Sequence, residues 1–101
     1  MKPKILIVDD EKPLRDMLAK WFAKTYDCQT APDAETAQAV IRETPDLALV
    51  LTDFKMPGMS GLDLARAAKK ASPNLAVIIL TAHADVNLVI EAMRNGVDDF
   101  F

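Results

Sequence analysis

Three unbroken apolar runs constrain this chain more than any other feature. They are Ile5-Leu6-Ile7-Val8, Leu47-Ala48-Leu49-Val50-Leu51-Thr52 and Ala76-Val77-Ile78-Ile79-Leu80. None alternates apolar with polar residues, so each reads as a strand covered on both faces. Between them lie stretches with helical spacing. Pro13 suits a first helical turn, and Leu14, Met17, Leu18, Trp21 and Phe22 follow along one predicted face. Asp33 is placed to cap a helix carrying Ala37, Val40 and Ile41, which Pro45 ends. Met56-Pro57-Gly58 predicts a turn, and Ser60 with Asp63 predicts the start of a third helix that Ser72-Pro73-Asn74 breaks. Asp85 is placed to cap a fourth, with Val86, Val89, Ile90 and Met93 on one side and Asn95-Gly96 as its stop. Cys28 to Ala31 is a further strand by position, and Asp99-Phe100-Phe101 begins another.

Strands without alternation, separated by helices, predict an α/β fold: a doubly wound, parallel sheet with helices on both faces. At 101 residues the chain is one domain. Its net charge of −3, with no basic stripe, speaks against direct nucleic-acid contact by this segment. The single cysteine, Cys28, cannot form an internal disulfide and is expected to pack as a small apolar side chain. Four apolar residues after Lys4 are too few for a signal peptide or a membrane span, so the expected location is cytoplasmic.

In a parallel α/β sheet, ligands bind beyond the carboxyl ends of the strands. The three runs end at Asp9-Asp10, Asp53 and Thr81. Singly, each has a plainer explanation, as a turn, a cap or an ordinary strand residue. Together, on neighbouring strands, they bring three carboxylates and a hydroxyl to one end of the sheet. The carboxylates would repel one another, and a bound divalent cation relieves that cost. All-oxygen ligation points to Mg²⁺, Mn²⁺ or Ca²⁺ rather than zinc, and Mg²⁺ fits best because it takes one or two carboxylates, keeps several waters and accepts phosphate oxygens. A carboxylate beside such a cation can act as a nucleophile toward phosphorus, and Asp53, ending the central run, is the best placed.

Val8-Asp9-Asp10-Glu11, Leu51-Thr52-Asp53, Met56-Pro57-Gly58-Met59-Ser60-Gly61, Leu80-Thr81-Ala82 and Asn95-Gly96-Val97-Asp98-Asp99-Phe100 together resemble the receiver domain of bacterial two-component response regulators. The resemblance covers essentially the whole chain, 1–101. It implies a five-stranded sheet of order 2-1-3-4-5. It also implies that Asp53 accepts a phosphoryl group from a sensor histidine kinase. Asp10 would bind Mg²⁺ directly, Asp9 largely through water, and the backbone carbonyl of Lys55 would be a further ligand. Thr81 would contact the phosphoryl oxygens, Phe100 would hold the aromatic switch position, and Lys55 and His83 would tune dephosphorylation. Leu88, Ala92 and Phe100 would form an output surface for a homodimer or another partner, with a fused output domain outside this chain. In one departure, the family's lysine would fall two residues beyond Phe101, and the last helix is also missing from this sequence. The chain is therefore expected to be C-terminally incomplete, with apolar surface uncovered on its final strands.

The resulting expectation is a phosphorylation switch that catalyses only its own phosphorylation and dephosphorylation, not an enzyme on an outside substrate. A phosphatase with an Asp nucleophile would need a second Asp where Lys55 stands. The remaining alternative is a receiver-like interaction domain that is never phosphorylated.

Overall fold

The computed structural model describes residues 2–56, 58–80, 94 and 96–100. Four strands of five to seven residues form the sheet: β1 (Lys4–Val8), β2 (Asp27–Ala31), β3 (Leu47–Asp53) and β4 (Ala76–Leu80). A two-residue strand, β5 (Asp99–Phe100), pairs beside β4. All pairings are parallel and the order is β2-β1-β3-β4-β5. The apolar run of β1 is buried on both faces, as expected of a parallel strand, whereas β4 buries Val77 and Ile79 but leaves Ala76, Ile78 and Leu80 half-buried, and Ala48 of β3 is exposed.

Three helices are described: α1 (Lys12–Phe22), α2 (Ala34–Glu43) and α3 (Gly61–Ala71). Pro13 lies in the first turn of α1. Asp33 caps α2, its Oδ1 accepting from the Thr36 N–H at 2.7 Å, and Ser60 caps α3 by accepting from the Asp63 N–H. Each bond satisfies one of the donors that a helix start leaves unpaired. α2 and α3 pack on one face, where Ala37, Ile41, Leu64, Ala65 and Ala68 meet Leu6, Val8, Val50, Val77 and Ile79. On the other face, Leu18 and Phe22 of α1 meet Ile5, Ile7 and Leu51.

α1 buries only part of its apolar stripe. Leu18 is buried and Phe22 partly so, but Leu14, Met17 and Trp21 are exposed, Trp21 to 66%. The apolar stripe is wider than the strip of helix the sheet contacts, and Trp21 sits on its outer edge. Trp21 also borders an apolar trough of about 440 Å³, lined by Phe22, Tyr26, Leu49, Leu51, Ile78 and Leu80 among others. Cys28 is partly buried beside this cluster, and burial pushes its thiol pKa up.

Thr81, His83, Leu88 and Ala92, and with them the predicted fourth helix, lie outside the described residues.

Candidate functional site: an acidic cluster at the strand ends

β1 and β3 are neighbours, with Val8 opposite Thr52, so the residues that follow each emerge side by side. One carboxylate oxygen from each of Asp9, Asp10 and Asp53 lies within 4.8 Å of the others. Asp9 is buried, Asp53 is half-buried and Asp10 is exposed.

Local backbone geometry fixes the two less exposed carboxylates. Asp9 Oδ1 accepts from the Glu11 N–H at 2.8 Å, turning the chain toward α1, and the Asp9 N–H donates to the Ala31 carbonyl. Arg15, on the first turns of α1, donates from its guanidinium to the Asp9 backbone carbonyl at 2.8 Å. Asp53 Oδ1 accepts from the Phe54 N–H at 2.8 Å, while Phe54 also donates to the Leu80 carbonyl at 3.2 Å in a bifurcated contact. Thr52, fully buried, donates its hydroxyl to the Asp53 carbonyl.

Burial raises the Asp53 pKa above the ordinary carboxylate range. The charge of Asp9, and less strongly those of Asp10 and Glu11, adds to it, against the Phe54 hydrogen bond. Burial raises the Asp9 pKa too; the Glu11 N–H opposes that, Asp10 reinforces it and Arg15 offsets part of it. Two carboxylates are thus held close to each other at a cost that a cation would remove. The donor set, all oxygen and with one carboxylate open to solvent, suits a hard divalent ion that keeps some of its water. The residues fit such an ion.

Two features of the site carry no mark in the sequence. Nothing at a spacing of six residues singles out Arg15 as a side chain that returns to a strand end. Gly61 stood in the matched motif without a physical reason. A Cβ placed there would lie 2.2 Å from the Asp53 carbonyl oxygen, so the first residue of α3 must be glycine for the helix to dock against the end of β3. Gly58, at φ +81°, occupies the left-handed region that the predicted turn calls for. Lys55 is exposed.

The response regulator receiver domain profile matches residues 5–101. The chain belongs to the response regulator receiver family. Among relatives of the receiver, the phosphate regulon transcriptional regulatory protein PhoB of Pseudomonas aeruginosa is 39% identical over 100 residues, covering 95% of this chain but 43% of that protein. Sporulation initiation phosphotransferase F of Bacillus subtilis is 37% identical over 98 residues, covering 95% of the receiver and 77% of that protein. A response regulator receiver domain protein from Clostridium thermocellum superposes with a TM-score of 0.91 at 34% identity, over 98% of this chain and 80% of that one. The receiver thus spans less than half the length of the Pseudomonas regulator. Among its described residues no helix is long and apolar enough to cross a membrane.

Proposed function

We propose that Asp53 is the phosphoryl acceptor of a two-component receiver and that Asp9 and Asp10 hold a Mg²⁺ ion beside it. The observation that carries this reading is the convergence of the three carboxylates within 4.8 Å at the carboxyl end of a parallel sheet. Bound there, Mg²⁺ supplies positive charge to the transferring group, and Mn²⁺ can take its place. The Lys55 backbone carbonyl completes the protein's share of the ligands.

Asp53 is oriented for attack by its own backbone. Phe54 N–H holds Oδ1, leaving the second carboxylate oxygen for phosphorus. As that oxygen bonds to phosphorus, the phosphorus–nitrogen bond of a donor phosphohistidine breaks, and the imidazole leaves with the bonding pair and takes up a proton from solvent. Later attack of water on the phosphorus of the acyl phosphate returns Asp53 and inorganic phosphate. Lys55 and His83 set how readily that water reaches phosphorus. Thr81 receives the phosphoryl oxygens, and Phe100 passes the change to an output surface that includes Leu88 and Ala92. The chain catalyses only these two steps on itself.

The donor is a sensor histidine kinase, and the working location is the cytoplasm. Of the relatives above, the Pseudomonas one is by name a transcriptional regulatory protein, of which this chain covers 43%. A fused output domain and self-association through the output surface fit that company.

Mg²⁺-dependent incorporation of phosphate from acetyl phosphate into the full-length protein tests the proposal. Labelling should vanish in Asp53→Ala. Labelling that persists in that variant, or wild-type protein that never labels, rejects it.

A further inference from the structure

β5 is two residues long, so its own ladder does little to define its register on β4. What precedes it compensates. The Asp98 N–H donates to the Val77 carbonyl at 2.8 Å, and the Val77 N–H donates back to Asp98 Oδ2 at 2.7 Å. The carboxylate thereby stands where a strand carbonyl would otherwise accept, and the exchange fixes Asp99 opposite Ile78 and Phe100 opposite Ile79. Lys69 of α3 closes the arrangement, its Nζ lying 2.6 Å from the same Oδ2. Its aliphatic stem runs past Gly96, where a Cβ would meet Cγ at 3.5 Å. Gly96 itself is at φ +84°, the turn that delivers Val97 into the core and Asp98 to the edge of β4.

We propose that Asp98, held by Lys69, is a positioning residue for Phe100: it sets the register of β5 on β4 and so the place of Phe100 along the sheet. This rests on the reading of Phe100 as the residue that passes on phosphorylation of Asp53. Asp98 touches no part of the acidic cluster and acts only through the strand it places.

The test uses the full-length protein, acetyl phosphate with Mg²⁺ as phosphodonor, and backbone NMR with amide hydrogen exchange. In Asp98→Ala, exchange at the Val77 amide should rise about tenfold, the equivalent of one lost charge-assisted hydrogen bond. The phosphorylation-dependent shift of the Phe100 amide should collapse while Asp53 labels at the wild-type rate. Asp98→Asn keeps an acceptor for Val77 and should restore most of both signals. Lys69→Met should raise Val77 exchange by about threefold, as expected for loss of a partly exposed ion pair. A full Phe100 response in Asp98→Ala overturns the proposal, as does equal loss in the Ala and Asn variants. Should Asp98→Ala fail to fold, unchanged exchange and an unchanged Phe100 response in Lys69→Met overturn it. If wild-type protein itself never labels, the phosphoacceptor reading is what fails; Val77 exchange then decides the register claim alone, a rise supporting it and no rise rejecting it.

Discussion

At the scale of single residues, close approach and charge dominate. Gly61→Ala would drive a methyl group into the Asp53 carbonyl, which is backbone and cannot swing aside. The expected loss is roughly 2 kcal/mol or more in urea unfolding, with slower labelling of Asp53 as β3 and α3 are pushed apart. The acidic cluster works in the other direction. Asp9 and Asp53 have pKa values raised above the usual range, so in the fold their ionised forms are disfavoured and cost stability at neutral pH. Mg²⁺ should raise the melting temperature of the wild type by mass action, and that rise should be absent in Asp10→Ala. Asp98 has the opposite sign. Burial alone would raise its pKa, but Lys69 and the Val77 N–H together hold it below the ordinary value. Its contribution is complete above the unfolded pKa of about 3.9 and is lost as pH falls through the lower folded value. Urea midpoints of wild type should therefore converge on those of Asp98→Asn in strong acid and separate above it.

At the scale of elements, strands were legible, and the extent to which the sheet covers α1 was not. β1, β3 and β4 could be read because a run of apolar, mostly β-branched or leucine residues bounded by helical patterns fits a parallel strand, although one face of β4 is only half-buried. β4 matches its run, 76–80, end to end, while β3 extends one residue further, to Asp53. The caps at Asp33 and Ser60 were legible for a similar reason: a short oxygen-bearing side chain before a helix has one favourable use. α1 was different. Leu14, Met17, Leu18, Trp21 and Phe22 define an apolar stripe, but periodicity says only that a stripe exists, not how much of it a neighbouring sheet covers. Leu18→Ala should cost about 2–4 kcal/mol in unfolding, whereas Trp21→Ala should stay within about 0.5 kcal/mol. A large loss at Trp21 would mean that its face is covered.

At the scale of the molecule, the site was legible to the extent that it depends on strand ends. Asp9, Asp10 and Asp53 converge because β1 and β3 are adjacent and parallel, and the apolar runs were enough to suggest that. The tie from Asp98 to Val77 and Lys69 was not legible. It joins residues 21 and 29 positions apart in the sequence, a separation that no local pattern spans.

The trough beside α1 has a practical consequence. The protein's one tryptophan stands at its rim, 66% exposed, next to Phe22, Tyr26 and the apolar side chains of Leu49, Ile78 and Leu80 on β3 and β4. An indole in water emits at longer wavelength than one enclosed by hydrocarbon, so Trp21 is a built-in fluorophore for that surface. A shift of its emission to the blue, with no label attached, would register any helix, partner or apolar dye that settles over the trough.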